Sequence, residues 1–191
     1  MYFSSPETER RRAKSAHELA MTSLLLFNLP ALIALLGGSF IQPDSPLAPY
    51  KGLGVAVPLG LSLAVIAYSF WRAARAAGGE HWLVAAHWRL ATDRYKILLI
   101  AYVAGAGLIG LGWLLAQTQS KPAMQEMMFI ALQRVAIAPM LITLMVLVML
   151  ESGALAQALR GEVPNSLVKR FPPPADLEGS ETEVAAAEPA G

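Results

Sequence analysis

The residues of this 191-residue chain best suited to chemistry are its three histidines, His17, His81 and His87. Imidazole changes charge near neutral pH and is a common metal ligand. His81 and His87 stand six residues apart, about 240° around a helix, so a single helix cannot aim both at one ion. All three lie outside the long apolar stretches of the sequence, so no bis-histidine haem is expected between membrane helices. Glu80, His81, His87 and Asp93 could assemble an interfacial acid–base group. Nothing in their spacing requires it, and solvated loop residues are the simpler reading. No cysteine occurs, which removes disulfides, thiolate metal sites and cysteine nucleophiles. The methionines at 124, 127, 128, 140, 145 and 149 read as packing residues rather than a copper array. No phosphate-binding glycine loop or catalytic triad order is present. No cofactor or metal is expected.

A second candidate is Arg134, whose guanidinium stays charged in any surroundings. Counted from Pro122 it lies roughly 18 Å along a helix. It either snorkels to the surface, in keeping with nearby Gln125, Glu126 and Gln133, or faces inward to Asn28 or to a carbonyl freed by Pro30 or Pro139. Arg134 and Asn28 are therefore the candidate intramembrane polar site.

The elements that must position these groups are four apolar stretches: Ala20 to Ile41, Gly52 to Phe70, Ile97 to Gln117 and Met127 to Leu150. Arg134 is their only charged residue. A hydrocarbon core of about 30 Å needs roughly 20 apolar residues as helix, and each stretch is near or above that length. The expected fold is an all-α membrane protein, a four-helix transmembrane bundle with spans at about 20–41, 52–71, 97–117 and 127–150. It has an N-terminal cytoplasmic helix starting at Ser5-Pro6-Glu7 and an interfacial helix, Glu80 to Tyr95, before the third span. In that helix Trp82, Trp88 and Tyr95 suit the headgroup level, and Arg89 and Asp93 are placed to pair. Gly78-Gly79 marks the end of the second helix. The first apolar stretch is expected to be retained, because no clear small-x-small cleavage site follows it.

Twelve of the fifteen basic residues lie before the first span, between the second and third, or after the fourth. The positive-inside rule puts both termini in the cytoplasm of a multi-pass plasma (inner) membrane protein. Residues 1–160 form the transmembrane domain, and the acidic, proline- and alanine-rich segment 161–191 is expected to be a disordered cytoplasmic tail.

Small residues recur at helical spacing. Gly52, Ala56, Gly60 and Ala64 form one stripe of the second span, with Gly54, Pro58 and Ser62 around the opposite side; Ala101, Gly105 and Gly112 form a face of the third. Small-x-x-x-small faces let helices approach closely. With packing faces in excess and little charged machinery, the expected function is that of a non-enzymatic accessory or assembly subunit, held in the lipid bilayer with other membrane subunits or by self-association, and binding no nucleic acid. The alternatives are a small oligomeric transporter or channel using Arg134, and a membrane-bound enzyme with an interfacial His/Asp/Glu site.

Overall fold

The computed structural model of the protein describes residues 1–42, 44–76, 81–175, 177 and 179–180. These are almost entirely helical. The principal elements are β1 (Tyr2–Phe3), α1 (Glu7–Ser23), α2 (Leu29–Gly37), α3 (Lys51–Ala76), α4 (Trp82–Ala116), α5 (Pro122–Arg160), α6 (Asn165–Arg170) and β2 (Gly179–Ser180). Four helical segments, Glu7–Phe40, Ala48–Ala76, Trp82–Ala116 and Pro122–Arg160, are long and apolar enough to cross a membrane. Glu80 and the Gly78-Gly79 stop lie outside the described residues.

The chain divides into two compact units whose boundaries fall inside helices. Unit 1 comprises Met1–Thr22, Ala64–Arg94 and Met149–Gly191. Its core is built from alanine faces and a few large side chains: Ala13 and Ala16 of α1, Ala73 and Ala76 of α3, Trp82 to Ala86 with Trp88 and Ala91 of α4, and Ala158 of α5. Phe3, Val163 and Leu167 close it. Alanine at i, i+3, i+4 and i+7 leaves a shallow surface on which another helix can sit closely.

Two expectations are corrected in this unit. No separate interfacial helix precedes the third apolar stretch, because α4 runs unbroken for 35 residues from Trp82. That is about 52 Å of helix, some 20 Å more than a hydrocarbon core requires. Every residue from Trp82 to Trp88 is buried, whereas a helix lying on headgroups keeps one polar face in water. The second correction concerns the tail. Residues 161–171 are ordered: Val163 and Leu167 are buried in the core, and Phe171 stacks on Trp82 with ring centroids 6.0 Å apart. Residues 181–191 lie outside the described residues.

Gly161 makes this return possible. It takes φ +73° after α5, with Gly161 N–H donating to Ala158 O (3.2 Å) and Glu162 N–H to Gln157 O (2.9 Å). That is the Schellman pattern, which favours glycine because its left-handed backbone crowds a Cβ. A Cβ here would also come within 2.7 Å of the Phe3 carbonyl. The turn is held by the N-terminal segment through Phe3 N–H to Gly161 O (3.0 Å) and Val163 N–H to Met1 O (2.9 Å). Ser5 caps no amide; its buried hydroxyl has no partner among the described residues, and the Pro6 carbonyl accepts the first helical bonds instead.

Unit 2 comprises Ser23–Leu63 and Tyr95–Val148. One π-helical turn, Leu24–Asn28, joins α1 to α2, with Leu29 N–H donating to Leu24 O. Pro30 follows it directly. Proline lacks an N–H and its ring crowds the carbonyl four residues back, and a widened turn relieves that conflict without ending the helix. Pro58 and Pro139 likewise lie inside α3 and α5.

The small-residue faces divide sharply. Gly105 and Gly112 are buried where α4 meets α5: a Cβ at Gly105 would overlap Met140, and one at Gly112 would come within 3.0 Å of Leu132 Cβ. Ala101 on the same face is half-buried. Gly52, Ala56, Gly60 and Ala64 are exposed, and a Cβ at Gly52 or Gly60 would meet nothing within 4 Å. Within the chain, the stripe of α3 that packs is the opposite one, through Gly54 beside Ala34 and the buried Ser62.

Candidate functional site

Unit 1 buries a connected group of ionisable side chains drawn from three helices. Each sits in one of the alanine faces. His17 lies among Ala13, Ala16 and Ala20 of α1, Glu151 precedes Ala154 and Ala158 of α5, and His87, Ala91 and Arg94 follow one another at i, i+4 and i+7 on α4. Close helix approach over alanines is what removes these groups from water. His17 and His87 are 0% exposed and Glu151 1%.

The geometry is a chain. His17 Nδ1 lies 2.6 Å from Glu151 Oε2, and His17 Nε2 lies 2.9 Å from His87 Nδ1. Arg94 Nη1 stands 3.3 Å from the same Glu151 oxygen. A buried carboxylate is tolerated when paired and hydrogen-bonded, and here a permanent guanidinium and an imidazole N–H do both. His87 precedes the third apolar stretch by ten residues. Its pKa is pushed down to about 3, chiefly by burial and then by the charge of His17, against a raising effect of the Glu162 main chain beside it, with the charge of Arg94 the smallest contribution. Among the described residues His87 Nε2 is buried without a hydrogen bond of good geometry.

Among the described residues no cluster of three or more His, Cys, Asp or Glu is arranged to hold a metal ion. The two imidazole nitrogens face one another at hydrogen-bond distance and do not converge on a vacant centre, and a guanidinium beside the carboxylate disfavours a cation. The chemistry this arrangement can perform is proton storage and transfer along hydrogen bonds.

The interfacial acid–base group that the sequence allowed but did not require is not assembled by its described members, His81, His87 and Asp93. His81 is exposed and pairs with Glu9 at 3.0 Å, while His87 is buried in the chain just described. Asp93 pairs with Arg170 at 2.9 Å, and Arg89 lies over the Phe171 ring, 3.8 Å from its centroid. The tail that the sequence left as disorder supplies both of these partners.

Unit 2 holds a second buried network, without charge. Asn28 Nδ2 donates to Ser62 Oγ (2.8 Å) and to Ser23 O (2.9 Å), and its Oδ1 accepts from the Tyr102 hydroxyl. Ser62 Oγ lies 3.0 Å from the Tyr102 hydroxyl and 3.3 Å from Ser23 Oγ. Both amide hydrogens and the amide oxygen of Asn28 are thereby used. A cavity of about 480 Å³ adjoins the network, and apart from Asn28 and Tyr102 its walls are apolar, with Leu59, Leu99 and Met140 among them.

Arg134 does not join Asn28. It is exposed, with Nη2 3.2 Å from Ser39 Oγ and its guanidinium 4.5 Å from the Phe40 ring centroid. The neighbouring Gln133 satisfies the Leu35 carbonyl at 3.2 Å. Sequence reasoning missed Glu151, Arg94, Ser62 and Tyr102. For His17 and Glu151 the signal was present: each falls at helical spacing within an alanine stripe, on a face that must be buried. No protein-family model matches this chain, and neither a curated protein nor a solved structure does.

Proposed function

We propose that this chain is a non-enzymatic integral membrane protein that assembles with other membrane helices, a second copy of itself included, through the outer face of α3. The observation that carries this reading is the contrast between glycines. Gly105 and Gly112 are used up in packing α4 on α5, while Gly52, Ala56, Gly60 and Ala64 form an equally regular small-residue face that is exposed, with no described residue within 4 Å of a Cβ placed at Gly52 or Gly60. In lipid, where no hydrophobic force drives helices together, such faces are the usual means of close association.

The orientation that fits is one with both termini cytoplasmic in a plasma or inner membrane. Unit 1 gathers the N-terminal, central and C-terminal segments, and with them eleven of the fifteen basic residues. Under the positive-inside rule these three segments face the cytoplasm, with two crossings between each and the next. The transport reading loses its motive, since Arg134 rests on Phe40 at an exposed position.

Disulfide crosslinking of Gly60→Cys in native membranes tests the assembly reading. A discrete crosslinked species, to itself or to one partner, is expected, and Gly60→Leu should abolish the assembly while leaving the fold unchanged. Gly105→Leu serves as the contrasting control, because it collides with Met140 and should destabilise the chain itself by about 1–3 kcal/mol. A monomeric particle in mild detergent, with no crosslink at position 60, would overturn the reading.

A further inference from the structure

We propose that the His17–His87 pair of unit 1 is a proton-binding site that takes up one proton and, in doing so, reverses the direction of its internal hydrogen bond. The geometry permits two arrangements. In the first, His17 donates from Nδ1 to Glu151 and accepts at Nε2 from His87 Nδ1–H, across 2.6 and 2.9 Å. Both rings are then neutral, and His87 Nε2 is a bare acceptor with no good partner.

In the second, a proton arrives at His87 Nε2, and the hydrogen on His87 Nδ1 crosses to His17 Nε2. His17 becomes an imidazolium that donates at both nitrogens, one to the Glu151 carboxylate and one to His87 Nδ1. His87 remains neutral with its hydrogen moved to Nε2, facing the Glu162 main chain. One proton has entered and one hydrogen bond has changed direction. Glu151 stabilises the added charge at 2.6 Å, while burial and the charge then on His17 keep a second proton off His87, Arg94 adding a smaller repulsion.

The charged groups that face the pair are Glu151 from α5 and Arg94 from α4. The others nearby are engaged elsewhere. Lys14 and Glu18 of α1 pair with each other at 2.7 Å, Arg72 of α3 lies over Trp88, and the Glu162 carboxylate pairs with Arg160 at 3.2 Å. The acceptor end of the chain abuts the main chain of Glu162, next to the Gly161 turn that clasps the N-terminal segment.

The test is imidazole ¹⁵N NMR of the full chain in lipid nanodiscs from pH 8 to pH 5, with exposed His81 as internal standard. The expected result is a switch of the protonated nitrogen of His87 from Nδ1 to Nε2, without that ring becoming charged, coincident with imidazolium formation at His17. Glu151→Gln keeps the shape and removes the charge, and should lower the midpoint by at least one pH unit, a tenfold weaker proton affinity. Two neutral rings with fixed tautomers throughout, two rings that both become charged, or an unmoved midpoint in Glu151→Gln would each overturn the proposal. If Glu151→Gln does not fold, the tautomer switch in the unaltered chain decides alone.

Discussion

The two buried polar networks are built alike and charged differently. Each links three helical segments through side chains that are buried or, for Arg94 and Tyr102, part-buried: His17, His87, Arg94 and Glu151 in unit 1 and Ser23, Asn28, Ser62 and Tyr102 in unit 2. The unit 2 network is drawn from the apolar stretches and contains only amide and hydroxyl groups. The unit 1 network belongs to segments flanking those stretches and contains a carboxylate, a guanidinium and two imidazoles. In hydrocarbon a neutral hydrogen bond adds little and a charge costs several kcal/mol. A neutral network can thus orient helices at modest cost anywhere, while an ionised one is kept only where its charges are matched, and it then responds to protons.

That difference can be broken most forcefully at Glu151. Glu151→Ala leaves Arg94 charged and buried beside two imidazoles, and should cost about 3–5 kcal/mol, read as a lowered unfolding midpoint with hydrogen exchange rising in unit 1 first. Undiminished stability would show that the carboxylate is not the anchor of that unit.

Acid should separate the units next. In the unfolded chain His87 binds a proton below its ordinary pKa of 6.5, whereas in the fold it stays neutral to about 3. The unfolded state therefore holds more protons between these values, and stability falls as pH drops through that window, by up to tenfold in the folding equilibrium per pH unit. Amide protection in unit 1, taken relative to the intrinsic exchange rate at each pH, should fall on acidification from pH 6.5 while that in unit 2 holds; an equal fall in both would sink the distinction.

A milder test removes both charges together. Glu151→Met with Arg94→Met should cost far less than Glu151→Ala, because replacing a buried ion pair by apolar residues of similar volume is often neutral. Thermal unfolding of the double variant that matched Glu151→Ala would mean that the loss arises from packing rather than from an unpaired charge. The smallest effect is expected in unit 2, where Asn28→Ala removes neutral hydrogen bonds of about 0.6 kcal/mol on average in membrane proteins. A loss of several kcal/mol there, by denaturant titration in micelles, would place the two networks on equal footing.

Much of the helical plan was legible because it follows from local composition. Apolar runs of 19 residues or more admit few structures in lipid other than helices, and all four fall, to within one residue, inside the helical segments seen here. The Trp82 to Tyr95 segment misled, because tryptophans that suit a membrane surface suit a buried core equally, and only the partners supplied by α1, α3 and residues 161–171 distinguish the two. The α3 stripes were both visible, but which one faces the chain depends on the rotation of α3 against its neighbours. That rotation is fixed by Ser62 reaching Asn28 and Tyr102.

The sequence by itself determined four long apolar helices, the asymmetry of their flanking charge and the absence of thiol chemistry, since these depend on residue type and on spacings of a few positions. The tertiary structure alone decided that His17, His87, Arg94 and Glu151 meet while His81, Asp93 and Arg134 do not. His17 and Glu151 are 134 positions apart. A contact over that separation is set by which alanine faces close against each other, a property of packed helices in three dimensions that no local spacing records.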